Sequence, residues 1–324
     1  MHVLIIGGAG MIGGKLAQRL ARDGELAGKA VSSLTLYDVV PATPPAAAKM
    51  PVKIATGDLP AAGEAEKLIA DRPDLIFHLA AIVSGEAELD FDKGYRINLD
   101  GTRLLLEAIR AAGHKPRLVF TSSIAVFGAP FPEAIDDEFF NTPLTSYGTQ
   151  KTICELLISD YTRKGLLDGL SIRLPTICVR PGKPNKAASG FFSNIMREPL
   201  AGEPAVLPVS ESVRHWHASP RAAVGFLIHA AGLDTGKVGP RRALTMPGVS
   251  VTVGEQIAAL KTVAGEKVAA RIRREPDTFI EGVVAGWPRN FAPQRALALG
   301  FKADASFEDI IRIHIEDELG GRIA

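Results

Sequence analysis

At 324 residues, 46% of them hydrophobic, with 32 glycines and 22 prolines, the chain can bury a sizeable core and suits an α/β enzyme. Its formal charge of +1 excludes a bulk attraction to nucleic acid or to an anionic membrane surface. The two cysteines, Cys154 and Cys178, sit among apolar residues and read as reduced thiols, against a disulfide scaffold or a metal site.

The opening stretch His2-Val-Leu-Ile-Ile6 has the continuous apolar character of a strand buried on both faces. It begins with no basic region, signal-peptide core or cleavage site. No apolar run reaches the length that crosses a bilayer, so a cytoplasmic protein with no membrane or nucleic-acid partner is expected. The strand breaks at Gly7-Gly8-Ala9-Gly10, and a helical pattern (Ile12, Leu16, Leu20) follows. Strand, glycine turn and helix form the geometry of a dinucleotide pyrophosphate site. Glycines turn tightly and let amides approach, and the helix directs its positive end at the phosphates. Both Gly8-x-Gly10-x-x-Gly13 and Gly7-x-x-Gly10-x-x-Gly13 fit, and such a turn can also join strand to helix and hold nothing.

Further β-like runs at 34–38, 52–56, 75–79, 118–121 and 170–174 alternate with helical stretches, notably 97–112 and 147–164. That alternation predicts right-handed βαβ crossovers and an α/β fold with a doubly wound parallel Rossmann sheet. From about residue 180 the alternation gives way to Pro- and Gly-rich segments around short helices. A helix at 220–232, a strand near 243–246 and helices near 252–264 and 306–318 complete the chain. The expected division is an NAD-binding Rossmann domain over 1–178 plus about 218–248. A smaller C-terminal substrate-binding lobe takes 179–217 and 249–324, closing over the sheet's carboxyl edge.

Asp38 ends the second long strand, where a carboxylate hydrogen-bonds the adenosine ribose and repels a 2′-phosphate. No arginine follows it at once, so NAD is expected over NADP. Its distance from the glycines is longer than usual because Asp23-Gly-Glu-Leu-Ala-Gly28 reads as an insertion. Asp58, in Gly57-Asp58-Leu59, can meet the adenine amino group; either aspartate can instead be a turn residue. His78-Leu-Ala-Ala81 ends the fourth run with small residues that let a cofactor lie close to the backbone, and His78 itself reads as packed.

The fifth run ends in Thr121-Ser122-Ser123, and Tyr147-Gly-Thr-Gln-Lys151 opens a helix. Four residues apart, Tyr147 and Lys151 share one helical face. A tyrosine with a pKa of about 10 is a poor base at neutral pH, and a lysine ammonium beside it favours the phenolate. A serine hydroxyl at a strand's carboxyl end can hold the substrate oxygen while the proton leaves.

With these residues in place the chain resembles the extended short-chain dehydrogenase/reductase family, the group of NDP-sugar epimerases and dehydratases. The matches are Gly7-Gly8-Ala9-Gly10-Met-Ile-Gly13, Asp38, Gly57-Asp58-Leu59, His78-Leu-Ala-Ala81, Asn98 in Asn-Leu-Asp-Gly-Thr102, Ser122-Ser123…Phe127-Gly128 and Tyr147-x-x-x-Lys151. They cover residues 1 to about 180. The resemblance implies that Ser123, Tyr147 and Lys151 are catalytic, with Ser123 chosen over Ser122 because it stands five residues before Gly128. It implies an NAD cradle at Gly7, Gly10, Met11, Ile12 and Gly13, in the Gly7-x-x-Gly10-x-x-Gly13 spacing. Asp38, Asp58, Leu59, Ala80, Asn98, Tyr147, Lys151, Pro175 and Ile177 would line the rest of the cofactor. Pro175-Thr176-Ile177 looks like the family segment whose backbone meets the nicotinamide amide. Asn98 resembles the family's active-site asparagine and can equally be a structural amide. The helices at 97–112 and 147–164 are the family's usual homodimer surface.

Departures from the family narrow the activity. Its dehydratases carry Asp-Glu after the catalytic hydroxyl and its decarboxylating members a glutamate, where this chain has Ile124 and Ala125. Sugar-nucleotide members tend to have Arg-Asp-(aromatic)-x-x-Val-x-Asp, where this chain has Arg214-His-Trp-His-Ala-Ser-Pro-Arg221. Between residues 171 and 221, seven basic residues (Arg173, Arg180, Lys183, Lys186, Arg197, Arg214, Arg221) outnumber three acidic ones (Glu198, Glu203, Glu211). An anionic substrate follows, with Arg180 or Arg214 as its clamp and Lys183 and Lys186 as solvated loop charges. Ser189-Gly-Phe-Phe-Ser-Asn194 offers Ser189, Phe191 and Asn194 to a small polyol, or else caps a helix and fills the core. Thr176, Ser123 and Tyr147 complete the expected substrate contacts. His215 and His217 share a face and can hydrogen-bond substrate hydroxyls; without a carboxylate or cysteine companion they make no metal site. The second lobe is similar to sugar-acid dehydrogenases of this family. That implies NAD-linked oxidation of a small sugar acid at C2, with an NDP-sugar 4-epimerase on the same Ser/Tyr/Lys site as the alternative.

Overall fold

A computed structural model of the chain describes residues 1–182 and 189–324; Lys183 and Lys186 lie outside the described residues. The chain forms two compact units: residues 1–126, 143–174 and 224–245, and residues 127–142, 175–223 and 246–324.

The first unit is built on seven strands, β1 (His2–Ile6), β2 (Ser33–Asp38), β3 (Val52–Thr56), β4 (Leu75–His78), β5 (Arg117–Ser123), β6 (Asp168–Leu174) and β7 (Ala243–Thr245). Their order across the sheet is β7-β6-β5-β4-β1-β2-β3, with every neighbouring pair parallel. This is the doubly wound Rossmann sheet. Val3 to Ile6 are wholly buried, as a central parallel strand covered by helices on both faces must be. The strand order reverses beside β1, and open sheets of this kind receive ligands at the carboxyl ends next to such a reversal.

Helix α1 (Met11–Asp23) follows β1 and stops at Gly24, whose φ of 75° lets it cap the helix in the left-handed conformation. The expected insertion is a small hairpin, Glu25–Leu26 paired antiparallel with Lys29–Ala30. The stretch 97–112 departs from a uniform helix: a π-helical turn spans Tyr95–Asp100, and regular helix α2 runs over Gly101–Ala112. Helix α3 (Ser146–Arg163) is capped by the Thr145 hydroxyl, which accepts the Gly148 N–H.

In the second unit the helices Gly190–Leu200, Val253–Ala264 and Phe307–Leu319 bury their apolar faces in one core with Phe192, Met196, Leu260, Phe307 and Ile311. A three-stranded sheet sets Arg214–Ala218 between Thr176–Ile177, parallel to it, and Val249–Thr252, antiparallel. Residues 127–142 belong here, whereas the sequence reading assigned them to the Rossmann domain. The reason is long-range: Ile135–Asp136 pairs with Phe291–Ala292, and the rings of Phe127 and Phe291 lie 5.8 Å apart. Among the described residues no helix is long and apolar enough to cross a membrane.

Candidate active site

The glycine turn is held from the second strand. The N–H groups of Gly7 and Gly8 both donate to the Tyr37 carbonyl, at 2.8 and 3.0 Å. Gly7 has φ +97°, and a Cβ there would come within 2.7 Å of the Ala80 nitrogen; one on Gly13 would overlap the Gly7 carbonyl oxygen. Those two positions therefore admit only glycine, which selects the Gly7-x-x-Gly10-x-x-Gly13 spacing. Helix α1 starts at Gly10 with no side-chain cap and no acidic residue in its first turn. Its opening amides thus have no side-chain cap among the described residues, and the helix dipole adds partial positive charge. Such a turn fits a pyrophosphate. Asp38 stands beside it, accepting the Ala9 N–H at 3.0 Å and the Val39 N–H at 2.7 Å. The carboxylate both braces the turn and brings negative charge to where a ribose would lie.

The other expected cofactor residues diverge. Asp58 is ion-paired with Arg96 at 2.7 Å, and the Leu59 side chain is buried in the core, so only the Leu59 backbone is left to meet a ligand. Asn98 is a buried tie: its Oδ1 accepts the Ile82 N–H at 2.9 Å and its Nδ2 donates to Gln150 Oε1 at 2.7 Å. The amide joins the segment after β4 to α3, and the structural alternative describes its side chain. His78 is packed as expected. Its Nε2 donates to the Thr102 hydroxyl, which itself donates to the Asn98 carbonyl, and burial pushes its pKa down to about 3.

In the first unit α3, which carries Tyr147 and Lys151, packs on the end of β5 that carries Ser123, through the Lys151–Thr121 hydrogen bond and the close approach of Gly148 to Ala125. Ser122 is buried and donates to Glu155 Oε1 at 2.5 Å, whereas Ser123 is partly exposed and its Oγ accepts the Ala125 N–H at 3.1 Å. The neighbouring serines are thereby told apart, since only Ser123 reaches solvent. Lys151, 2% exposed, donates to the Thr121 carbonyl at 2.8 Å, and its Nζ lies 4.5 Å from the Phe120 ring centre and 5.7 Å from that of Tyr147. A rigid ammonium held beside a phenol favours the phenolate.

Burial pulls the Lys151 pKa down to about 8 from 10.5, with Cys154 and Glu155 opposing. The folded state therefore binds fewer protons than the unfolded chain between those values, and this group's contribution to stability rises with pH across that window. Below about pH 8 the buried charge costs on the order of 3 kcal/mol. Lys151→Met is accordingly expected to raise the melting temperature at pH 7 by several degrees while removing activity. Paired thermal melts and turnover assays check this, and a lower melting temperature would refute it.

In the second unit the expected substrate residues are mostly engaged with one another. The Arg180 guanidinium donates to the Ile177 carbonyl at 3.0 Å and to Ser189 Oγ at 3.2 Å. Asn194 Oδ1 accepts from Arg197 at 2.9 Å. Phe191 is 5% exposed and belongs to the core, which corrects its expected contact with substrate. His215 and His217 are likewise core groups, not substrate partners. His215 stacks on Phe192 with its ring parallel, accepts from the Thr176 hydroxyl at 2.7 Å and donates to the Pro288 carbonyl at 2.9 Å. Burial pushes its pKa down to about 4 and that of His217 well below the usual value, so both are neutral at pH 7. Pro175 and Ile177 are buried. Arg214 donates to the Ser250 carbonyl at 2.9 Å, pairs with Glu255 at 3.1 Å, and lines a cleft of about 800 Å³ with Phe131, Glu133, Ser250, Arg289 and Asn290.

Residues 3–230 match the NAD dependent epimerase/dehydratase family. The chain belongs to that family. Curated relatives named D-erythronate dehydrogenase, from Cupriavidus necator and Haemophilus influenzae, are 48% and 45% identical to it. Each alignment covers 98% of this chain, and 98% and 100% of the relatives. A crystal structure of a protein named nucleoside-diphosphate-sugar epimerase, from Agrobacterium tumefaciens, is 67% identical with a TM-score of 0.98. It covers 100% of this chain and 96% of that one. Family and curated relatives together support an NAD-dependent oxidoreductase.

Arg289 and Glu155 were not singled out from the sequence, and Arg173, counted there among the basic residues facing an anionic substrate, is tied to Glu155. Arg289 lines the cleft, but the local string Trp287-Pro-Arg289 gives no sign of it, because the cleft forms between segments more than a hundred residues apart. Glu155 and Arg173 form a buried pair at 2.7 Å. A charge four residues after Lys151 and another inside an apolar strand were the available signal.

Proposed function

We propose that the chain oxidises D-erythronate at C2 to 2-oxo-erythronate with NAD as hydride acceptor. The observation that carries this is the Ser123/Tyr147/Lys151 set, in a chain full-length alignable with two D-erythronate dehydrogenases. Bound NAD would supply the acceptor for the C2 hydride, held by the turn from Gly7 to Gly13 and by Asp38. Tyr147, as phenolate, takes the proton of the C2 hydroxyl. Ser123 donates a hydrogen bond to the same oxygen, and Lys151 stabilises the phenolate and would hold the nicotinamide ribose of bound NAD. The substrate carboxylate falls to Arg214 or Arg180. Arg214 is the better candidate because it faces the cleft, whereas the Arg180 guanidinium bonds its own loop.

The test is an NADH absorbance screen over four- to six-carbon aldonates and UDP-sugars. Net NADH with D-erythronate supports the dehydrogenase. Interconversion of UDP-sugars without net NADH would replace it with the epimerase, the activity named for the solved relative. Asp38 carries the cofactor preference, so Asp38→Ser should narrow the NAD-over-NADP ratio of kcat/KM by about tenfold or more, through loss of charge repulsion at the 2′-position. An unchanged ratio would dismiss that role. A homodimer through α2 and α3 in the cytoplasm completes the proposal. A monomer by sedimentation would remove it.

A further inference from the structure

Glu155 sits one turn beyond Lys151 on α3 and is almost wholly inside the first unit. Its Oε1 accepts from Ser122 Oγ at 2.5 Å and from Arg173 Nε at 2.9 Å, while its Oε2 accepts from Arg173 Nη2 at 2.7 Å. Ser122 and Arg173 are register partners at the carboxyl ends of β5 and β6. Ser122 precedes Ser123, and Arg173 precedes Leu174 by one residue, where the strand delivers the chain to Pro175. One carboxylate thus joins three elements.

We propose that Glu155 is a positioning residue for the reaction. It fixes the helix bearing Tyr147 and Lys151 against the strand bearing Ser123, and it supplies the buried negative charge that keeps Lys151 cationic. This rests on the roles given to Tyr147, Lys151 and Ser123 above.

The charge inventory supports it. Facing the Lys151 ammonium are Tyr147, the Cys154 thiol and Glu155 from α3, the Thr121 carbonyl and Phe120 ring from β5, and His78 from β4, which burial keeps neutral. Arg173 stands behind Glu155 on β6. Among the described residues Glu155 is the carboxylate that acts on Lys151, and with Cys154 it draws the Lys151 pKa up against the effect of burial. A bidentate guanidinium–carboxylate pair holds its geometry far better than a lone contact, because two parallel bonds fix both distance and plane. Burial makes the arrangement rigid, since either partner left alone would be an uncompensated charge.

Removing a carboxylate lowers both apparent pKa values of the coupled Tyr147–Lys151 pair. It also moves the first lost proton toward the lysine, which depletes the phenolate–ammonium form. In Glu155→Gln the acid limb of log kcat/KM is expected about half a pH unit lower, and the plateau about tenfold lower, with KM for NAD within about twofold. Because that variant takes the Glu155 carboxylate from Arg173, the double variant Glu155→Gln/Arg173→Met, which removes both charges of the pair, is measured beside it. Folded by circular dichroism, the double variant is expected to show both changes in the same direction. A wild-type plateau in it, or a lowered plateau with an unmoved acid limb, overturns the proposal, because packing alone would not move the limb. Tyr147→Phe is the control for the underlying reading: an active Tyr147→Phe enzyme removes the catalytic assignment itself, and this inference with it.

Discussion

Tyr147→Phe is expected to lower kcat with D-erythronate by about 10²–10⁴-fold, the range for losing a general base. The substitution removes one hydroxyl and leaves the ring beside Lys151, whose other anchors, the Thr121 carbonyl and the Phe120 ring, are untouched. NAD affinity should stay within about threefold and stability within about 0.5 kcal/mol, as for a conservative change that creates no cavity. Single-turnover NADH formation, a fluorescence titration with NADH and a thermal melt measure the three quantities. Turnover near the wild-type rate would end the assignment of Tyr147 as base. The paired serine variants sharpen the test. Ser123→Ala should lose about tenfold or more in kcat, through a hydrogen bond that strengthens as negative charge develops on the substrate oxygen. Ser122→Ala should act on stability, because its hydroxyl is bonded to Glu155 inside the core.

Gly148→Ala is expected to be nearly as damaging, by a different route. A Cβ on Gly148 would overlap the carbonyl oxygen of Ala125 and lie 3.0 Å from Pro143 Cβ. Backbone cannot swing aside as a flexible side chain can, so α3 must lift away from the turn after β5. Alanine favours a helix interior over glycine by about 1 kcal/mol, whereas overpacking against rigid backbone costs about 1–3 kcal/mol. Stability should therefore fall only modestly. The catalytic loss is larger. Tyr147 and Lys151 ride on α3 while Ser123 stays with β5, and a displacement of about 1 Å between such groups costs on the order of a hundredfold. Expected together are a melting temperature a few degrees lower and kcat/KM about a hundredfold lower. A variant of wild-type activity would show that α3 is not held at this contact.

The sheet was legible in the sequence because most of its first six strands centre on apolar residues that are buried, bounded by glycine or polar breaks, and the edge strand Val52–Thr56 still shows β-branched residues between such breaks. The helices followed from three- and four-residue spacing. Two places resisted. Residues 127–142 carry no periodic pattern, and what assigns them to the second unit is a strand pair with residues about 150 positions later. The π-helical turn at Tyr95–Asp100 is equally silent, since its apolar and polar residues also suit an α-helix.

For the site, the candidate residues were legible in the sequence: glycines at 7, 10 and 13, an aspartate at 38, a serine at 123, and a tyrosine and lysine one helical turn apart. Those signals are local, because a turn, a strand end and a helix face each fix their residues within a few positions. Which of these side chains are buried or paired came from the tertiary fold. His215 and His217 alternate on a strand as substrate partners would, yet Phe192, Thr176, Pro288 and Gln256 enclose them. Asp58, offered to the adenine, is paired with Arg96; Phe191, offered to a small polyol, lies in the core; and Arg173, counted with the basic residues facing the substrate, is tied to Glu155. Burial and pairing come from segments remote in the chain, and no spacing rule within one segment records them.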